Sequence, residues 1–87
     1  MKLSIRVTQD DIKNGVPGSP YSCPVARAIR RVANRKSVAV GVSYCRINHI
    51  RYGFPEMVAD NISRYDLGYA MRPFSFKLVG PLSQEQI

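Results

Sequence analysis

Hydrophobic and polar residues alternate with helical spacing in one stretch of the chain, residues 24–35. At about 100° per residue, the apolar side comprises Val25, Ala28, Ile29, Val32 and Ala33. The opposite side comprises Arg27, Arg30, Arg31, Asn34 and Arg35. Pro24 suits the first helical position, and Ser22 or Cys23 can cap the helix just before it. The pattern predicts an amphipathic helix that ends near Arg35 and has an arginine-rich polar side.

Three other stretches alternate with the two-residue period of strands. Residues 1–8 carry Leu3, Ile5 and Val7 on one face, and residues 71–79 carry Phe74, Phe76 and Leu78. Residues 37–48 are interpreted as one strand, because their β-branched residues are dense. In that strand one face would hold Val38, Val40, Val42 and Tyr44, and the other Ala39, Gly41, Ser43 and Cys45. Asn48 and His49 can then turn the chain into a short partner strand at residues 50–52.

Two shorter signals complete the predicted elements. Thr8 and Asp11 have the spacing of a capping box, which predicts a single helical turn after the first strand. Residues 56–67 place Val58, Ile62 and Tyr65 on one helical stripe, and Gly68 suits the position just past the helix end. A second amphipathic helix is therefore expected there.

The order of these elements predicts the fold class. We expect one α+β domain over residues 1–80, with a three- to four-stranded sheet and two amphipathic helices packed on one face. Residues 81–87 are expected to be a frayed C-terminal tail. An edge strand, either residues 3–8 or residues 74–79, is expected to mediate a homo-oligomer.

Composition narrows the class of protein. The chain has 87 residues, of which 45% are hydrophobic and 22% charged, values typical of a globular domain. No apolar run reaches the roughly 20 residues of a membrane span, and no signal-peptide core is evident, so a cytoplasmic location is predicted. The two cysteines and single histidine match no metal pattern, so neither a metal nor a cofactor is expected. Motifs of catalysis are missing, and the protein is not predicted to be an enzyme.

The distribution of charge points to an anionic partner. The net charge is +7, and no acidic residue occurs between Asp11 and Glu56, an interval that holds eight lysines and arginines. Such a segment favours binding to phosphate, although a merely solvated basic surface remains the alternative. The candidate ligand-binding residues fall into two groups. The first is the helix arginines, and the second is an anion site at the helix N-terminus together with arginines near it. They comprise Ser22, Cys23, Arg27, Arg30, Arg31, Arg35, Arg46, Arg51 and Arg72.

The first third of the chain resembles a group of small phage- and prophage-encoded proteins of unassigned function. Their pattern is V-T-x-x-D-I-x-x-G followed by C-P-V-A, represented here by residues 7–15 and 23–26. A later aspartate followed by P-F-x-F, Asp66 and residues 73–76, is also similar. The resemblance covers roughly residues 5 to 30 and supplies no catalytic residues. It implies an accessory role in an infected host cell, such as countering host defence.

Together these observations lead to three hypotheses of function. The first is a non-enzymatic phage accessory protein that binds a phosphate-bearing ligand, such as a nucleotide signal, through arginines. The second is a sequence-nonspecific nucleic-acid-binding protein that uses the helix arginines. The third is an inhibitor that covers an acidic surface of a host defence protein.

Overall fold

The computed structural model describes residues 2–34, 37–41 and 43–80. Within them the chain forms five strands: β1 (Lys2–Val7), β2 (Val38–Val40), β3 (Tyr44–Ile47), β4 (Ile50–Gly53) and β5 (Phe74–Val79). Three helices are interspersed: α1 (Gln9–Asn14), α2 (Pro24–Val32) and α3 (Glu56–Asp66). The predicted α+β class is confirmed. The described sheet has five strands, more than the three or four expected. The tail predicted at residues 81–87 lies outside the described residues.

The strands form one antiparallel sheet in the order β1-β5-β4-β3-β2. β1 and β5 are paired along their whole length, from Lys2 opposite Val79 to Val7 opposite Phe74. β4 meets β5 at the single pair of Gly53 and Val79. Because β5 lies between β1 and β4, it is not the edge strand that its sequence was expected to form, whereas β1 does lie at an edge.

The segment predicted as one strand over residues 37–48 is a hairpin instead. The chain reverses after β2, and the Gly41 amide donates to the Tyr44 carbonyl at 2.8 Å. The new register sets Val38 opposite Ile47 and Val40 opposite Cys45. Cys45 is therefore buried on the same face as the valines, and the prediction that it lies opposite them was wrong. Alternation alone missed the turn, because the small residues between the valines and Tyr44 suit a strand as well as a turn. Val42 lies outside the described residues.

A second hairpin follows, as the sequence predicted. Asn48 and His49 both adopt positive φ, +56° and +72°, and connect β3 to β4 as a two-residue turn. Asparagine tolerates this conformation well, and paired positive φ values match the twist of the flanking strands. The turn sets Arg46 of β3 directly opposite Arg51 of β4.

The helix ends are set by local hydrogen bonds. Cys23 caps α2, its Sγ accepting from the Ala26 amide at 3.4 Å, and Pro24 occupies the first turn as predicted. α2 ends at Val32, earlier than predicted, because Asn34 takes a positive φ of 59°. The predicted end at Arg35 lies outside the described residues. α3 closes with the expected Gly68, whose φ is +98°.

The core lies between one face of the sheet and the apolar sides of α2 and α3. Buried residues from all three belong to one hydrophobic cluster. The largest fully buried side chains of this cluster include Ile5, Val25, Ile29, Cys45, Val58 and Leu78. The strand residues that alternate with the core residues lie on the opposite side of the sheet, which we call the open face. All of them are exposed or half-buried. These are Ser4, Arg6, Ala39, Tyr44, Arg46, Arg51, Gly53, Ser75, Lys77 and Val79.

One charged side chain, Asp11, is fully buried beside this core. The predicted capping box is confirmed: Asp11 accepts from the Thr8 amide at 2.9 Å, and the Thr8 hydroxyl accepts from the Asp11 amide at 3.2 Å. The Arg31 guanidinium donates to both Asp11 carboxylate oxygens, at 2.8 and 2.9 Å. It also donates to the Arg6 carbonyl at 2.9 Å. A single ion pair therefore links α1, α2 and the end of β1.

The surroundings of Asp11 favour its charged form. Burial raises the pKa of the Asp11 carboxyl, but the hydrogen bonds from Arg31 and Thr8 and the charge of Arg31 outweigh this effect. The net pKa of Asp11 is lowered from the ordinary value of 3.8. The carboxylate is thus ionised at neutral pH and stabilises the folded state.

We expect Asp11→Ala to lower the free energy of unfolding by about 3 kcal/mol, because it removes the helix cap and leaves Arg31 without its partner. Urea denaturation measures this quantity. Asp10→Ala is the matched control, since the Asp10 side chain is 74% exposed and its pairing with Arg27 is worth less than about 1 kcal/mol. Equal losses in the two variants would contradict the role assigned to Asp11.

The same carboxylate predicts a pH dependence. The pKa of Asp11 is lower in the folded state than in the unfolded state. The ionised carboxylate therefore stabilises the fold fully above pH 3.8, and this stabilisation is lost as the pH falls through the pKa of the folded state. Asp11→Asn has no charge there to titrate. The stability difference between wild type and Asp11→Asn should therefore shrink on acidification from neutral pH to about pH 3. A difference in urea midpoint that stays constant over this range would count against the ionised pair.

Candidate anion-binding surface

The α2 arginines that are described, Arg27, Arg30 and Arg31, are all engaged with other parts of the chain. Arg31 binds Asp11, as above. Arg27 lies 3.5 Å from Asp10 and 3.7 Å from Asp11, and its buried Nε has no hydrogen-bond partner. Arg30 donates to the Tyr21 carbonyl at 2.8 Å. Arg27 and Arg31 are therefore paired with the two aspartates of α1, whereas Arg30 is bonded to a neutral carbonyl. Arg35, predicted for the same side, lies outside the described residues.

A depression of about 270 Å³ between these arginines also contains Asp11. An anion that entered it would meet a carboxylate already held by two guanidinium groups. The local charge is thus partly balanced, which weakens the attraction for a further anion. This arrangement favours a structural role for Arg27 and Arg31.

The N-terminus of α2 carries Ser22 and Cys23, which the sequence placed in a second anion site. Cys23 is buried as the helix cap, and burial raises the pKa of its thiol. The cavity beside it, about 190 Å³, is lined by Asp66 and by no arginine or lysine. Asp66 accepts from the Gly18 amide at 2.8 Å and so fastens the loop before α2 to the end of α3. The structure does not bring Arg46, Arg51 or Arg72 into this cavity.

Arg46 and Arg51 come together elsewhere, on the open face. They are direct cross-strand partners in the β3–β4 hairpin. Their guanidinium carbons lie 5.8 Å and 5.2 Å from the centre of the Tyr44 ring. The ion pairs among the described residues involve Arg27 and Arg31 only, so neither Arg46 nor Arg51 is neutralised there.

This arginine pair is energetically unfavourable by itself. Like charges directly opposite on neighbouring strands destabilise a sheet. The electron-rich face of Tyr44 offsets part of that repulsion, since such cation–π contacts contribute about 0.5–1 kcal/mol at exposed sites. The result is two planar cations beside one aromatic ring, and no carboxylate of the described residues is paired with them.

The basic character extends over the rest of the open face. None of the five strands contains an aspartate or glutamate, and their charged residues are all lysine or arginine. Arg6 and Lys77 are exposed on the open face, and Lys77 donates to the Ser4 hydroxyl at 3.3 Å. Arg72 is exposed in the segment that precedes β5, outside the strands themselves. The five described strands therefore contribute positive charge and no acidic residue to the open face.

Two tyrosines beside the arginine pair were not singled out as site residues by the sequence. Tyr44 was predicted to share a face with the core valines, an error that follows from missing the first hairpin. Tyr21 lies in none of the helices or strands that the sequence predicts. Recognising Gly41 as a turn residue would have moved Tyr44 to the exposed face next to Arg46.

Comparisons of the chain with protein-family models, with curated proteins and with solved structures found no match. The described helices include none that is long and apolar enough to cross a membrane. The described residues also contain no group of three or more histidine, cysteine, aspartate or glutamate side chains placed to hold a metal ion. Function is therefore inferred from the geometry of the open face.

Proposed function

We propose that this protein binds a phosphate-bearing ligand through arginines, and that the ligand is nucleic acid lying across the open face. The observation that supports this most is the cross-strand pair of Arg46 and Arg51, which no carboxylate in the described part of the chain neutralises. A bound phosphate would relieve their mutual repulsion and accept hydrogen bonds from both planar groups. Arg6 and Lys77 extend the same basic surface along the sheet.

The shape of the surface favours a polymer over a small nucleotide. Three cavities, one at the α2 N-terminus, one among the α2 arginines and one beside Tyr44, measure about 190 to 270 Å³. Pockets that enclose a small ligand usually occupy about 300–1,000 Å³. A nucleic-acid backbone needs only an extended basic surface, and its affinity falls as salt rises. We therefore favour the second hypothesis over a sequestered nucleotide signal, and place its contacts on the sheet rather than on α2.

The phage setting and a role against host defence belong to this proposal as context. They are supported by the resemblance of residues 5 to 30 alone. In that setting a small, non-enzymatic nucleic-acid-binding protein would act by occupying DNA or RNA. An acidic host protein is the competing partner, since it would be attracted by the same charge.

The proposal is tested by replacing both cations of the pair. Arg46→Ala with Arg51→Ala should weaken binding of a fluorescent single-stranded oligonucleotide by about tenfold or more, measured by anisotropy. The slope of log affinity against log salt should fall by about 0.7, because the pair is proposed to hold one phosphate. A panel of mononucleotides and cyclic dinucleotides should bind far more weakly than the oligonucleotide.

The matched control removes two positive charges elsewhere. Lys13→Ala with Arg64→Ala changes the net charge equally, and both residues are exposed on helices. If this control weakens binding as much as the arginine-pair variant, the protein attracts nucleic acid only through its net charge. Tight binding of one small nucleotide that persists in high salt would instead favour the sequestration hypothesis.

A further inference from the structure

A cleft of about 240 Å³ opens next to the arginine pair. It is lined by two aromatic side chains, one guanidinium group and small or aliphatic residues: Pro20, Tyr21, Ala39, Val40, Gly41, Tyr44 and Arg46. Arg46 and Tyr44 thus border both the cleft and the proposed phosphate site. Among the described residues, no acidic one lines the cleft. The cleft combines the aromatic surface and the cation that nucleobases stack on.

The backbone at Tyr21 is held firmly although its side chain is not. The Pro20 carbonyl accepts from the Val40 amide of β2 at 2.8 Å, and the Tyr21 carbonyl accepts from Arg30 of α2 at 2.8 Å. The Tyr21 side chain is nevertheless 61% exposed. A large aromatic group is therefore presented to solvent from a fixed backbone, and Arg30 acts as its positioning residue. Such preorganisation reduces the entropy lost when a ligand binds.

The opposite border of the cleft is fixed by the first hairpin. The Gly41 amide donates to the Tyr44 carbonyl at 2.8 Å, and Tyr44 then enters β3. Both aromatic residues are thus attached to the sheet by backbone hydrogen bonds, Tyr21 through β2 and Tyr44 within β3. Their separation does not depend on a long flexible loop.

We infer that this cleft accepts one unpaired nucleobase while Arg46 and Arg51 hold an adjacent phosphate. The inference rests on the proposed function and names the form of nucleic acid that it involves. Bases in a duplex are paired and stacked inside the helix, so they cannot enter a cleft between aromatic side chains without being unpaired. The protein should therefore prefer single-stranded DNA or RNA to duplex.

The test compares two probes of equal length and charge, a labelled oligothymidylate and an abasic oligonucleotide that keeps the phosphates but lacks bases. Wild-type protein should bind the oligothymidylate about tenfold or more tightly than the abasic strand, the size expected when a base stacks on an aromatic side chain. Tyr21→Ala should remove most of this difference, whereas Tyr21→Phe should retain it. Because Tyr21 is exposed, these variants are expected to fold normally.

Tyr69→Ala provides the matched control, since Tyr69 is exposed to nearly the same extent, 63%, and does not line the cleft. It should leave the preference for the base-containing strand unchanged. If wild type binds both probes equally and the arginine-pair variant weakens both, the base cleft is wrong and backbone binding stands. If neither probe binds, the proposed function and the base cleft are both wrong.

Discussion

The buried carboxylate of Asp11 is the constraint on which the charge distribution of this protein depends. It sits at 0% exposure between α1 and α2, where an unpaired charge would cost several kcal/mol. Arg31 and the Thr8 cap satisfy it with hydrogen bonds, and Arg27 adds a longer contact at 3.7 Å. Because Arg31 also bonds the Arg6 carbonyl, the same group fastens α2 to the end of β1. Arg27 and Arg31, two of the four arginines predicted for the polar side of α2, are thereby committed to the fold.

Because these helix arginines are paired with aspartates, the positive charge available to a ligand lies on the sheet. All the charged residues of the strands are basic, and the alternation of strand residues places Arg6, Arg46, Arg51 and Lys77 away from the core. The β3–β4 turn then makes Arg46 and Arg51 direct cross-strand neighbours, each in contact with the Tyr44 ring. The hairpin register keeps these two like charges on neighbouring strands in spite of their repulsion. An anionic ligand bound by both explains why the pair is present. Arg30 connects α2 with the sheet region, since its side chain extends from α2 and donates to the Tyr21 carbonyl.

Local signals in the sequence were sufficient for much of this fold. Pro24, the Thr8–Asp11 capping box, the Asn48–His49 turn and Gly68 each act within a few residues, so their consequences could be predicted. The reversal at Gly41 could not, because valines and small residues suit a continuous strand equally well. The partner of Arg31 lies 20 residues away in sequence, and helical periodicity carries no information about such contacts. The sequence treats all the candidate arginines alike, and only the tertiary structure separates Arg46 and Arg51 from the arginines held by Asp11.

The most direct test of this account is an NMR titration of isotope-labelled protein with a short single-stranded oligonucleotide, following amide and arginine side-chain signals. The account predicts chemical-shift changes in β3, β4 and the loop at Tyr21, including the guanidinium signals of Arg46 and Arg51. The signals of Arg27 and Arg31 should move little, because both are occupied by Asp10 and Asp11. Changes concentrated on α2, with β3 and β4 unaffected, would contradict the central claim that the helix arginines support the fold and the sheet binds the ligand.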